Sequence, residues 1–543
     1  MPFAALKCPP QSVHLVGEKK DCRRMRRLPG GRWEADGVEA RWDAGGGAAS
    51  GRVFVAAPRA EVSRLVLRWP AVFSDETLFL GDAWERGYGD LQWRSRQPER
   101  VMPWYFLAHD PARRTTAGAG VATQPGAFCF WTADDTGVSL WLDLRNGGGP
   151  ARLGDRELHA ATVVASGHAD MDAFAAASRF CRELCPRPRL APHPVCGGNN
   201  WYYAYGENFD AAAVVRDARF LAEISGGHPN RPYCVIDAGW TPGGTCPGGP
   251  WAHADPVRFP DMAGLAGEMA ALGARPGVWM RLSALRAGAD GVARGRLRAG
   301  PQPAPEKALD LTDRDNLEMI AADVARVRDW GYRLLKHDFS TYDCFGRWGF
   351  EMGAELTAPG WHWADRSLTN AEVILRFYKT IRESAGDDTA VIGCNTVGHL
   401  AAGLVEVQRA GDDTSGRHWE RTRRMGVNTL AFRLPQHGAF FAVDADCVAH
   451  TPRTPWEKDR QFLDLVARSG TPLFVSTDPA LVTDAQKKVF SAAMRIALDG
   501  GEPGGTGPLD WLRTTSPRQW RLGSGTAAYD WTEPRGVWPF ACD

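Results

Sequence analysis

The chain has 543 residues, too many for one ordinary domain, and its 44% apolar and 24% charged residues are those of a globular protein in water. Its 64 Lys and Arg balance 64 Asp and Glu, and zero net charge argues against a nucleic-acid binder and gives no support for contact with an anionic membrane. No segment reaches the roughly 18 apolar residues of a membrane span, and the first residues, MPFAALKCPPQSVHLVGEKKDCRRMRR, lack the apolar run of a signal peptide, so a cytoplasmic location is expected.

Residues 1–185 read as β. Segments 52–56, 64–69, 127–131, 137–144 and 161–166 are rich in Val, Leu and aromatics, and Gly, Pro and Asp clusters separate them. Short strands so spaced predict a β-sandwich domain. A helix over 172–183 closes the region, and CPRPRLAPHP, with four prolines in ten residues, reads as a linker. From 195 to 499 the pattern becomes strand, loop, helix, repeated. The predicted strands are 195–202, 233–237, 277–282, 332–337, 390–394, 404–409, 440–443 and 472–475. Amphipathic segments lie between them. In 312–330, Thr312 and Asp315 resemble a helix-start box, and Leu317, Ile320, Val324 and Val327 share one face. A further helix, 484–498, follows the last strand. Eight such units over about 305 residues have the count and size of a (β/α)8 TIM barrel, and their regularity favours closure over a doubly wound open sheet. Residues 500–543 have no helical period but hold Trp511, Trp520, Trp531 and Trp538. They predict a small C-terminal β element.

Twenty-two Trp are well above ordinary usage. They suit a protein that stacks sugar rings, but a large β-rich protein also buries Trp, and composition alone favours burial. The twelve Cys are scattered without a framework spacing. They read as reduced, mostly buried thiols. Cys181 and Cys185 have no matching pair at zinc spacing, so no metal site is expected. The glycine-rich stretches lack the strand–loop–helix context and the Lys of a phosphate loop, so no organic cofactor is expected either.

In a TIM barrel the chemistry sits at the C-terminal ends of the strands. Polar residues recur there. The second predicted strand ends VIDAGW, with Asp237 and Trp240; the third runs PGVWMRL, with Trp279 and Arg281; the fourth ends LLKHDF, with Lys336 and Asp338; the fifth ends VIGCN, with Cys394 and Asn395; the sixth runs LVEVQRAGDD, with Arg409, Asp412 and Asp413; the seventh gives FFAVDADC, with Asp444 and Asp446. Asp is a common helix N-cap in βα loops, and capping is at least as good a reading of Asp444 and Asp446. Lys336 and Asp338 alternate in register and point the same way. Burying both is costly unless they pair with each other or with a ligand, and a structural ion pair stays open. Two carboxylates across a barrel mouth are what glycosidic bond cleavage needs. The acid must hold a proton near neutral pH; Asp412 beside Asp413 and an apolar surround would raise it, whereas direct pairing with Arg409 would oppose this. Arg409 is therefore expected to grip a sugar hydroxyl instead.

These motifs resemble those of clan D glycoside hydrolases, particularly family 36. LLKHDF resembles the nucleophile motif, Lys-x-Asp. RAGDDT, with Trp419 following, resembles the acid/base motif, in which an Arg precedes the catalytic Asp by four residues. VIDAGW, GGNNWYYAYG and PGVWMRL resemble the second-, first- and third-strand motifs, and Gly393-Cys394 the fifth-strand Gly-Cys. RAGDD, HTP and PLFVSTDP also resemble the plant raffinose-synthase branch. The resemblance covers about 195–479 in order and implies a retaining α-galactosidase. It implies Asp338 as nucleophile, Asp413 as acid/base, and Trp201, Asp237, Trp279, Lys336, Cys394 and Arg409 as sugar contacts. Asp412 is a rival acid/base; Asp413 keeps the Arg-to-Asp spacing. Where the family has a second acidic residue on strand two, this chain has Ala238, which loosens galactose specificity. The long 341–370 loop, with Tyr342, Phe345, Trp348, Phe350, Trp361 and Trp363, either walls the leaving-group site or plugs the sandwich. Two rival functions remain: transfer of the sugar to another sugar, and a non-catalytic sugar-binding protein. The implied partner is an α-linked oligosaccharide or glycoside.

Overall fold

A computed structural model describes residues 2–47, 49–169, 171–286, 307–533 and 536–537. Trp538 lies outside the described residues. The N-terminal part is two antiparallel sheets packed face to face. One has six strands in the order Cys22–Arg24, Ser12–Val16, Arg64–Pro70, Gly137–Asp143, Phe128–Asp134, Met102–Pro103. The other has eight, running from Arg26–Leu28 through Ala49–Ala57 and Gly154–His168 to Leu78–Gly81. Alternating inward residues fill the space between them, with Trp69 against Trp42 at 5.5 Å and Trp131 against Phe106 at 5.9 Å.

The nine-stranded sheet that follows is parallel throughout. In chain order its strands are Cys196–Asn199, Tyr233–Ile236, Arg275–Met280, Leu334–His337, Ala390–Gly393, Val407–Arg409, Ala442–Asp444, Cys447–Ala449 and Leu473–Ser476. Each pairs with its neighbour in sequence, except that Ala442–Asp444 pairs only with the sixth strand and Cys447–Ala449 only with the last. These two pieces are the edges of the sheet and are joined by Ala445 and Asp446. They are two halves of one broken seventh strand, and because one half pairs with the sixth strand and the other with the last, the sheet closes into a (β/α)8 barrel. Asp446 has φ +68°, a left-handed conformation that Asp adopts more readily than most residues. The strand predicted at 440–443 is thus the first half of a longer, interrupted one.

Two local expectations need correction. The first strand stops at Asn199, and Trp201–Ala204 forms a helical turn at its end, so Trp201 leaves the strand it was placed on. The helix after the third strand spans Arg314–Asp329 and is capped by Asp313, whose carboxylate accepts from the N–H of Asn316; Thr312 instead donates to Asp310. The helix Asp484–Leu498 lies where the pattern put it. Residues Thr506–Pro508, Gln519–Leu522 and Gly525–Ala528 form a three-stranded antiparallel sheet. Its neighbour Trp511 packs on Trp93 of the sandwich at 5.3 Å, while Trp531 stacks on Trp419 of the barrel at 6.2 Å. At least twelve Trp are fully buried, so burial accounts for most of the Trp excess. No helix among the described residues is long and apolar enough to cross a membrane.

Candidate active site

Asp338 follows the fourth strand, and the chain turns sharply after it. Phe339 has φ +63°, a strained conformation of the kind that concentrates at functional sites. The turn aims the N–H of Phe339 at Oδ1 of Asp338, 2.8 Å away. The N–H of Asn395 donates to the same oxygen at 3.1 Å, and the indole N–H of Trp279 donates to Oδ2 at 3.1 Å. Three elements therefore fix one carboxylate. Burial pushes its pKa up, but Arg86 and Lys336 more than offset this and hold it below the usual carboxylate range.

Lys336 does not pair with Asp338. Its ammonium reaches Asp237 at 2.7 Å, and Asp237 also accepts from Asn199 Nδ2 at 2.6 Å and the N–H of Ala238 at 2.7 Å. The two side chains are almost wholly buried. Burial pushes the Lys336 ammonium down, and Asp237 restores it to well above its ordinary value.

Asp412 and Asp413 differ in what holds them. Oδ1 of Asp412 meets Nη2 of Arg86 at 2.7 Å, and Oδ2 meets Nη2 of Arg421 at 2.8 Å. Both oxygens are thus occupied by guanidinium groups. Asp413 is contacted only on Oδ1, by Arg409 at 3.2 Å and Arg86 at 3.7 Å among the described residues, and its side chain is 37% exposed. The expectation that Arg409 leaves the acid alone is overturned. Burial raises the Asp413 carboxyl, but Arg409, Arg86, Lys336 and Arg421 together lower it to about 2. The expected upward push is outweighed because four cations converge on one carboxylate. Arg409 also meets Asp446 at 3.0 Å and donates to Cys394 Sγ at 3.4 Å.

Other expected contacts take different places. Trp240 is fully buried, donates its indole N–H to the Trp279 carbonyl at 2.9 Å and packs on Trp251 at 5.2 Å. It has no surface for a ligand, so it supports Trp279 rather than touching sugar. Arg281 is also withdrawn: it is buried against Asp343 at 2.5 Å, donates to the Cys246 carbonyl and lies over Phe339 at 4.4 Å. Trp279 is nearly enclosed as well, with its N–H on Asp338. Cys394 is fully buried beside Arg86 and Arg409, and Asn395 reaches the site through its backbone while its amide group donates to Glu85. Trp201 is half-buried, edge-on to Tyr205 at 5.6 Å. Neither Asp444 nor Asp446 caps a helix. Asp446 accepts from Tyr202, from Thr414 N–H at 2.8 Å and from Arg409. Asp444 accepts from the N–H of Asp446, and burial drives its carboxyl up to about 7 despite Arg409.

The 341–370 loop packs part of its aromatic set on the sandwich. Trp361 and Trp363 are buried edge to face at 5.0 Å, and the N–H of Trp363 donates to Asn146 of the sandwich. Tyr342 and Trp348 stack at 4.6 Å beside Phe339, and Phe350 is 62% exposed.

Sequence reasoning missed Glu85, Arg86 and Tyr88, which reach the barrel mouth from the sandwich. Their segment docks backbone to backbone: the N–H of Gly87 donates to Ala410 at 2.8 Å, and the N–H of Asp412 donates to Gly87 at 2.9 Å. The facing Gly411 has no room for a side chain, since a Cβ would lie 2.1 Å from the Met425 carbonyl. Arg433 locks the junction, pairing with Asp82 at 3.0 Å and donating to the carbonyls of Glu85 and Ala410. The available signal was the run Trp84-Glu85-Arg86-Gly87-Tyr88 between strands of the sandwich, where a core has no use for an Arg.

No protein-family model matches the chain. Solved structures do. An α-galactosidase from Thermus thermophilus, solved with p-nitrophenyl α-D-galactopyranoside, is 19% identical, with 93% of this chain and 99% of that chain covered and a TM-score of 0.60. A family 36 α-galactosidase from Geobacillus stearothermophilus is 13% identical, with 91% and 76% covered and a TM-score of 0.56. A variant of the latter, solved in complex with raffinose, is also 13% identical, with 91% and 76% covered and a TM-score of 0.55. The fold is that of the family 36 α-galactosidases, as the motifs implied.

Proposed function

We propose that the protein is a retaining glycoside hydrolase that releases a terminal α-linked galactose, or a close relative, from oligosaccharides. Asp338 is the nucleophile and Asp413 the acid/base. The observation that carries this reading is the contrast among three carboxylates at one barrel mouth. Asp338 is ionised and fixed by three donors, Asp412 is consumed by two guanidinium groups, and Asp413 keeps one oxygen toward solvent. The fold likeness supports it, because the neighbours are α-galactosidases solved with α-galactosides.

In the first step Asp338 attacks the anomeric carbon as the glycosidic C–O bond breaks, and Asp413 gives its proton to the leaving oxygen. In the second, Asp413 takes a proton from water, water attacks the anomeric carbon, and the ester bond to Asp338 breaks. The Asp237–Lys336 pair, Arg409 and Trp201 are the contacts to the sugar, with the enclosed Cys394 lying behind Arg409. Asp413 is ionised in the free protein, so the sugar must change its surroundings. Seating a sugar over Asp413 removes water, and its hydroxyls compete for Arg409, which has Asp446 as a second anion. Both effects favour the neutral acid. We also place the protein in the cytoplasm, a reading supported by the cysteines among the described residues, which are free and mostly buried.

The test is turnover of p-nitrophenyl α-D-galactopyranoside followed by NMR. The α-anomer should form first, and Asp338→Asn and Asp413→Asn should each abolish or lower turnover by at least about 100-fold. First-formed β-anomer, or no turnover of any α-glycoside, would sink the reading. Transfer to a sugar acceptor is the second reading, favoured by the aromatic cluster Tyr342, Trp348 and Phe350 at the mouth. Only free galactose in the presence of added acceptor sugar would remove it.

A further inference from the structure

Asp413 faces charge from every side. Arg409 reaches it from the sixth strand at 3.2 Å, and Arg86 approaches from the sandwich at 3.7 Å. Lys336 acts from the fourth strand, and Arg421 from the helix that follows the sixth. Asp338, Tyr202 and Cys246 are the other titratable groups that feel its charge. Asp412 sits next to it in sequence but turns away and takes one guanidinium on each oxygen.

The geometry of Arg86 is the informative part. Its side chain is almost fully buried, so it cannot relax into solvent. Nη2 is held by Asp412 at 2.7 Å, while Nη1 stops at 3.7 Å from Asp413. A charge-assisted hydrogen bond needs about 2.7–2.9 Å, so Arg86 falls about one ångström short. Arg421 shows the same arrangement. Its Nη2 is on Asp412 at 2.8 Å, and its Nε donates to the backbone carbonyl of Asp413 at 2.9 Å rather than to the carboxylate.

We propose that Asp412 is a positioning residue that anchors Arg86 of the sandwich and Arg421, and so holds both cations off the Asp413 carboxylate, leaving it able to take a proton. The proposal rests on the reading of Asp413 as acid/base. It gives the doubled Asp a division of labour: one carboxylate does proton transfer, and its neighbour absorbs the cations. It also makes the sandwich part of the reaction, because Arg86 travels with the backbone clamp between Gly87 and 410–412.

The experiment is the pH dependence of kcat, which reports the acid in the sugar-bound state, on p-nitrophenyl α-D-galactopyranoside for the wild type, Asp412→Asn, Asp412→Glu, Arg86→Met and the double variant Asp412→Asn/Arg86→Met. A cation drawn into contact lowers a carboxyl by about 1–3 units. Asp412→Asn should therefore move the alkaline limb down by about one pH unit, Arg86→Met should move it up, and Asp412→Glu should keep it near the wild-type position. With Arg86 already removed, Asp412→Asn should move the limb by less than half as much. An unmoved limb in Asp412→Asn, or an equal shift in both backgrounds, would overturn the proposal. A crystal structure of Asp412→Asn gives a readout independent of activity. Arg86 within hydrogen-bond distance of Asp413 is expected, and Arg86 left in place would refute the proposal. Absence of wild-type turnover would instead count against the function reading, while the crystal structure still decides the positioning.

Discussion

Replacing Lys336 by Met tests whether the pair at the floor of the site compensates itself. Met keeps the length of the stem and removes the ammonium. Asp237 then loses the partner at 2.7 Å and retains Asn199 Nδ2 and the N–H of Ala238 as donors. Both side chains are less than a tenth exposed, so water cannot replace the ammonium freely. Removing one partner of a buried pair costs about 3–5 kcal/mol, and the two remaining donors place this case toward the lower figure. At about 2.1 cal/mol/K per residue, unfolding about 300 barrel residues releases about 0.6 kcal/mol/K, so the midpoint should fall by about 5–8 °C. Tryptophan fluorescence is a suitable assay, because Trp279 and Trp240 lie beside the pair. The companion is Lys336→Met with Asp237→Asn, which removes the stranded charge and should recover at least half of the loss. A midpoint lowered by less than about 2 °C in the single variant, or a double variant no more stable than it, would refute the view that each ion compensates the other.

Three further outcomes follow from particular contacts. Arg433→Met removes the guanidinium that ties Asp82 and Glu85 to Ala410; limited proteolysis should cut the 82–90 segment faster, and turnover should drop by at least about tenfold as Arg86 loses its placement. Intact protection with full activity would contradict that. Asp217 is half-buried with Tyr203 as its partner at 2.5 Å, and desolvation raises its carboxyl to about 7. A raised acid contributes stability that is present below the unfolded value near 4 and lost as pH rises through about 7, at about 1.4 kcal/mol per unit. Asp217→Asn should therefore gain stability relative to the wild type between about pH 4 and 7, and a constant difference in thermal midpoint across that range would refute it. Trp240→Phe should lower the thermal midpoint through the lost bond to the Trp279 carbonyl while leaving KM within about twofold; a large rise in KM would return Trp240 to the sugar site.

The barrel was legible because a (β/α)8 fold writes its period into the chain. Each apolar strand ends in a polar residue, and Leu334–His337 followed by Asp338 shows the pattern at its clearest. The seventh strand was half-hidden, since Asp446 breaks it and a break has no periodicity to detect. Trp201 was misplaced by two residues for a related reason: GGNNW reads as a continuous strand, but the side-chain oxygen Oδ1 of Asn199 accepts the N–H of Trp201 at 2.9 Å, where the chain turns into a helix. Residue type also misled. An Arg at a barrel strand end looks like a sugar contact, yet Arg281 is spent on Asp343, a residue of the following loop.

What the chain could not disclose was the protonation of the acid. Position follows from local pattern, but charge state depends on every ion within about 4–6 Å, whatever its place in the sequence. Asp412 beside Asp413 looked like a like charge that would keep the acid protonated. In three dimensions Asp412 is neutralised by Arg86 and Arg421, and the net field at Asp413 is positive. Arg86 arrives from a different fold element through two backbone hydrogen bonds to residues flanking Gly411. Those bonds are made by Gly87 and Asp412, so the carboxylate that captures the guanidinium sits on the clamp that delivers it. Placement and capture are thus one contact, and a change that loosens Gly87 from Gly411 should alter the proton chemistry of Asp413 without touching it.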